Sequence, residues 1–203
     1  GTQVPKYISF RYGHACLGKF ALRNIGRPRS AKKKLFATCI GSAAFGIPTG
    51  SIANLIAAIE MNLYLGAEFV IVYNISMTHQ LDDIFNYYIK EGKVQVIPWH
   101  IPEKFLRGIH NNGQILLLNE CLYRHADTVK YMVFQDFDEF IMPRGSFSSW
   151  KELLQPLADM KTSKAAAFCF KNVFFRKNDR NISSPLLRLN SFINVLTLHY
   201  KIR

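Results

Sequence analysis

Four short apolar runs are spaced along this chain, and most of the intervals between them carry a helical pattern. Leu35–Ile40 is the first and ends at Gly41-Ser42; Phe69–Tyr73, Val94–Ile97 and Tyr131–Phe134 follow. Each is the length of a buried strand and is rich in β-branched or aromatic residues. Between the first two, Ile52, Leu55, Ile56, Ile59 and Leu63 recur at helical spacing, with Ser51 placed to cap and Gly66 placed to stop. Leu81, Ile84, Phe85, Tyr88 and Ile89 predict a second helix ended by Gly92. Residues 98–113 form a loop, and Gln114 to about His125 a third helix with Ile115, Leu118 and Leu122 on one face. A later helix (150–159) and strand (165–170) follow. Such alternation predicts an α/β fold: a Rossmann-like, mostly parallel sheet flanked by helices. In such sheets ligands bind beyond the carboxyl ends of the strands. That rule places Gly41, Ser42, Tyr73, Asn74, the 98–113 loop and the acids at 136–139 along one rim.

Apolar residues make up 49% of the 203, enough to exclude a disordered chain. The formal net charge is +12, which points toward an anionic partner. Its distribution weakens that inference. Residues 1–59 hold nine Lys and Arg and no acid, so the body beyond is only mildly basic. Residues 1–34 read as an irregular basic N-terminal segment, and 35–203 as the folded domain. The cluster Arg27, Arg29, Lys32, Lys33 and Lys34 reads as a solvated linker, or as a contact to phosphate or acidic lipid. No RNA- or DNA-binding motif appears, and nucleic acid is not expected as a partner. No run of about 18 apolar residues is present. Cys16, Cys39, Cys121 and Cys169 lack the CxxC spacing of a zinc site. Cys39 and Cys121 fall on a strand and a helix, as two buried free thiols or as a disulfide.

The fourth strand runs directly into Gln135-Asp136-Phe137-Asp138-Glu139-Phe140. If the chain stays extended there, Asp136 and Asp138 point to the same side. Three clustered carboxylates repel one another unless a cation or strong hydrogen bonds compensate. A hard divalent ion suits oxygen donors and leaves positions for water and phosphate oxygens. Such an ion stabilises charge on a departing diphosphate. The pattern therefore predicts a metal–nucleotide site on Asp136 and Asp138. A dehalogenase-like phosphatase also places DxD after a strand. It does so on its first strand, however, with Thr or Val where Phe140 stands here.

Several segments, in their order and spacing, resemble glycosyltransferase family 92. They are Leu35–Cys39, Ile59–Leu63 with Leu65-Gly66, Ile71–Asn74, Tyr87-Tyr88 with Glu91-Gly92, Val96–Trp99, Gln114 with Leu118-Asn119 and Cys121-Leu122, and Val133–Ile141 with Pro143. The resemblance implies a GT-A fold and a metal-dependent, inverting transfer of a hexose, galactose above all, from a UDP-sugar to a glycan hydroxyl. It implies Mn²⁺ or Mg²⁺ as cofactor on Asp136 and Asp138, with Asp138 the direct ligand ahead of Asp136. Glu139 then supports that site or lines the acceptor side and is a weak candidate for the catalytic base. Tyr73 and Asn74 fall where such enzymes contact the nucleotide, and Gly41 and Ser42 where the first strand approaches the uracil. Family members continue with further strands, a basic Arg-x-Lys segment and a histidine. The resemblance thus places the acceptor half and the base beyond Arg203, and His199 reads as an ordinary strand residue. It also implies a Golgi-lumenal, single-pass type II membrane protein whose anchor precedes Gly1.

The remaining residues have plainer readings. Of the sequons at Asn74 and Asn181, the second is the acceptor expected, because a glycan on Asn74 would block the rim. Trp99 reads as packing or as a sugar platform, and His100 and His110 as loop residues. Glu60 lies on a solvated helix face or reaches a basic group. A catalytically incomplete module that binds nucleotide or glycan is the alternative to the enzyme.

Overall fold

The computed structural model describes residues 5–22, 32–41, 52–74, 79–99, 101–102, 108–159 and 167–170. Four parallel strands form the central sheet: β3 (Lys34–Ile40), β4 (Phe69–Asn74), β5 (Val94–Pro98) and β6 (Val129–Gln135), in the order β5-β4-β3-β6. Ile40 pairs with Val72 on one side and with Gln135 on the other. The chain therefore moves outward from β3 through β4 to β5, then crosses back to lay β6 on the opposite edge of β3. The carboxyl ends of β3 and β6 flank the point where strand order reverses, the place where open α/β sheets take ligands.

Helices cover both faces. On one, α1 (Ile52–Leu65) and α2 (His79–Lys90) bury Leu55, Ile59, Leu81 and Phe85 against Ile40, Val70 and Val72. On the other, α3 (Gln114–His125) buries Leu117 and Cys121 against Ala37, Cys39, Ile71 and Tyr73. Alternate residues of β4 thus serve opposite layers, as a strand covered on both faces requires. A third cluster seats α4 (Trp150–Asp159) through Trp150 and Leu154 on Phe36 and Leu65. The predicted α/β class and parallel sheet are what the structure has.

Three expectations change, one of them the strand at 165–170, whose described residues 167–170 take no regular structure. Residues 7–21 are not irregular: β1 (Tyr7–Tyr12) and β2 (Ala15–Ala21) form an antiparallel hairpin, turned at Gly13 with φ +58°. Scattered Gly and Arg hid a period of two. Ile8 lies opposite Phe20, whose ring meets Phe10, while Lys19 covers Tyr7. In α3 the buried stripe is Leu117, Cys121 and His125, and Ile115 is 59% exposed. Four consecutive apolar residues leave the helical phase undetermined from spacing. The Cys39–Cys121 disulfide, across 82 residues and a Cα separation of 6.6 Å, fixes that phase. It also resolves the choice between free thiols and a bridge. Glu60 is exposed on the helix face, as one of its two readings had it, and accepts a 2.6 Å hydrogen bond from the Tyr88 hydroxyl that joins α1 to α2. Burial, with Glu60 second, pushes that hydroxyl's pKa up to about 12.

One polar node crosses the core. Asn62 on α1 is fully buried; its Oδ1 accepts from Thr38 Oγ1 on β3 (2.8 Å) and Gln135 Nε2 on β6 (3.0 Å). Its own Nδ2 donates to the Ala58 carbonyl at 2.8 Å. Removing Asn62 strands two buried donors at once. Asn62→Ala is expected to cost about 2–4 kcal/mol in urea unfolding. A loss within about 0.5 kcal/mol would show that the node is dispensable.

Candidate functional site

β6 stops at Gln135, and the acids that follow leave the extended conformation. Phe137 and Asp138 occupy a turn closed by Glu139 N–H on the Asp136 carbonyl at 3.2 Å. The Glu139 carboxylate reaches back and accepts the Asp136 N–H at 3.1 Å. The same-side expectation for Asp136 and Asp138 was conditional on an extended chain, and the turn at 137–138 removes that condition. Glu139 is buried at 8% exposure, with its carboxylate against the Asp136 amide. Burial, then the charges of Asp136 and Asp138, push its pKa up to about 7 against the opposing bond from Asp136 N–H.

Gly41 ends β3 one residue after the Ile40–Gln135 pair, and its N–H donates to the Gln135 carbonyl at 3.1 Å. A Cβ here would lie 3.3 Å from both Gln114 Nε2 and Leu118 Cδ2, and 3.7 Å from Asp136 Oδ1. A larger residue would press on the first turn of α3, whose side chains would have to give by a few tenths of an ångström. Gln114 Nε2 donates to Asp136 Oδ1 at 3.3 Å, and Gln114 Oε1 accepts from Asn111 Nδ2 at 3.4 Å. The structure therefore brings Gly41, Gln114 and Asp136 together, with Asp138 half-buried in the adjoining turn.

Of the other predicted residues, Asn74 ends β4 on the same rim, half-buried, and its carbonyl accepts from Trp99 N–H at 2.8 Å. Tyr73 is fully buried, with its hydroxyl donated to Glu120, which also pairs with Arg124. Its ring meets Trp99 edge-on at 5.3 Å, so both side chains pack under the rim. Ser42, His100, Asn181 and His199 lie outside the described residues. His110 is exposed in the 3-10 turn before α3. Lys33 and Lys34 lie at the opposite end of the sheet, where Lys33 Nζ donates to Ala126 O at 2.6 Å and Lys34 covers the Phe69 ring. A cation there complements the carbonyl end of α3. Gln114, Asn62 and Gln135 were missed as site residues. Gln114 stood at a predicted helix start, but an amide carries no charge pattern that spacing can reveal.

Among the described residues, no three His, Cys, Asp or Glu side chains are grouped to hold a metal ion. Glu139 is engaged with the Asp136 amide, which leaves two carboxylates, Asp136 and Asp138, as oxygen donors at the rim. Two carboxylates suit Mg²⁺ or Mn²⁺ when phosphate and water oxygens complete the shell, whereas a protein-only cage would need more. The donor set fits such an ion. No helix among the described residues is long and apolar enough to cross a membrane.

Glu139 carries a pH signature. Its folded pKa exceeds the ordinary carboxyl value of 4.5, so the folded chain holds a proton there that the unfolded chain has lost. This stability is present below about pH 4.5 and is lost as pH rises through about 7. In metal-free buffer, Glu139→Gln is expected to gain about 1–3 kcal/mol on wild type between pH 5 and pH 8, read from urea midpoints. Parallel pH profiles would show that the carboxyl is not held in its neutral form.

Residues 36–199 match the sequence profile of Glycosyltransferase family 92. A 91-residue stretch is 29% identical to Beta-1,4-galactosyltransferase galt-1 of Caenorhabditis elegans. That stretch is 44% of this chain and 21% of the relative, so the match spans about a fifth of the longer protein. No solved structure matches.

Proposed function

The chain belongs to glycosyltransferase family 92, and we propose that it forms the donor-binding part of a metal-dependent, inverting transferase. The reaction moves a hexose, galactose before others, from a UDP-sugar to a glycan hydroxyl. Support for galactose comes from the C. elegans relative, which is named a β-1,4-galactosyltransferase. Support for the donor site comes above all from the β3–β6 reversal point, where Gly41 abuts Asp136 and the Asp138 turn begins.

Asp136 and Asp138 would hold Mn²⁺ or Mg²⁺. Bound there, the ion supplies Lewis-acid stabilisation of the diphosphate as it leaves. The chain's own part is placement. Gly41 lets the first turn of α3 pack closely on the chain just after β3, and Glu139 holds the acid-bearing turn closed from below. Tyr73 and Trp99 support the end of β4 by packing, with Asn74 at the rim above them. In the reaction, a general base takes the acceptor proton as the hydroxyl attacks the anomeric carbon and UDP departs. Glu139 is a poor base, because it is buried and spent on the Asp136 amide. We assign the base to a carboxylate other than Glu139, and place the protein on the lumenal side of the Golgi membrane.

Calorimetric titration of UDP with and without Mn²⁺ tests the reading. Wild type is expected to bind UDP only with Mn²⁺, and Asp138→Ala to lose at least about tenfold in affinity. UDP binding that ignores both Mn²⁺ and Asp138 would contradict it. A metal-independent response of both chains to glycan alone would favour the catalytically incomplete binding module.

A further inference from the structure

We infer that Gln114 is a positioning residue for the metal–nucleotide site, acting through the carboxylate of Asp136. This inference rests on the donor-site reading above and adds a residue to it. Asp136 follows directly on β6, and a carboxylate there can turn about two side-chain bonds. Gln114 Nε2, 3.3 Å from Oδ1, gives that oxygen a fixed donor. The amide has a second partner, since its Oε1 accepts from Asn111 Nδ2 at 3.4 Å, and Gln114 is the first residue of α3. Asn111 adopts φ +44°, a conformation that asparagine tolerates better than most residues.

The choice of an amide has chemical consequences. A primary amide offers a donor with no titratable proton, so the Asp136 contact persists at any pH that leaves the carboxylate ionised. A glutamate at 114 would place a second negative oxygen on Oδ1. A lysine would neutralise the charge that a cation needs. Glutamine orients the carboxylate and leaves its charge available to a metal. The Cys39–Cys121 bridge anchors α3 to β3 two turns further along, so the amide stands on a tethered helix. Groups that orient a metal-binding carboxylate typically contribute about 10–100-fold to metal affinity.

The test uses Mn²⁺ with saturating UDP, read by the electron paramagnetic resonance signal of free Mn²⁺. Gln114→Met keeps the side-chain volume beside Gly41 but removes the donor. It is expected to weaken Mn²⁺ binding about 10–100-fold, with its urea midpoint and its far-ultraviolet circular dichroism unchanged. Gln114→Ala suits a helix start, and it should reproduce the loss if methionine disturbs folding. Mn²⁺ affinity within about twofold of wild type in both variants, while Asp136→Ala and Asp138→Ala lose binding, would overturn this inference alone. Mn²⁺ binding that survives in Asp136→Ala and Asp138→Ala as in wild type would overturn the donor-site reading and this inference with it.

Discussion

Asn62 joins three elements that diverge at the rim. Its single carbonyl oxygen receives one donor from β3 and another from β6, and its amide returns to α1. In a dry core an unsatisfied amide costs more than a satisfied one contributes, so these partners must align together or not at all. The node thereby fixes the register of β6 at Gln135, the last residue before the acids. Everything at the rim is measured from that point. Gly41 meets the Gln135 carbonyl, Asp136 follows it, and the turn through Asp138 closes on Glu139.

Above this buried layer, a second set of interactions holds the site from the other face. The disulfide binds α3 to β3, and the first residue of α3 carries the amide that orients Asp136. Below, Tyr73 ties the end of β4 to α3 through Glu120 and meets Trp99, the residue after β5. The acids are therefore held between α1 and α3 at the place where strand order reverses. Rigid support of this kind is what a charge-stabilising site requires, because reorientation during reaction would cost part of the benefit.

The sequence made the frame legible where one physical signal dominated. β3, β4, β5 and β6 read clearly as short apolar runs, and Gly66 and Gly92 marked the ends of α1 and α2. Asp136 and Asp138 were legible because clustered like charges after a buried strand demand compensation. Other features depended on partners distant in sequence. The Asp136–Glu139 turn needs a side chain folding back on a backbone amide, which alternation cannot express. The phase of α3 was hidden in Ile115–Leu118, where every residue is apolar. The β1–β2 hairpin was hidden by Arg11 and Lys19, which stand among its aromatics. Gln114, Asn62 and Gln135 carry no charge, so their roles emerge only when the strands bring them into contact.

Membership of glycosyltransferase family 92 gives the rim a chemical context, and the rim geometry gives that membership a specific pair of carboxylates. A crystal structure of this chain grown with MnCl₂ and UDP, with data collected above and below the manganese absorption edge, would locate the ion outright. An anomalous peak within coordination distance of Asp136 or Asp138, with the diphosphate beside it and Gly41 against the nucleotide, is the result expected. UDP bound with no manganese at these two carboxylates, or manganese bound only elsewhere on the chain, would contradict a metal–nucleotide site at the β3–β6 reversal.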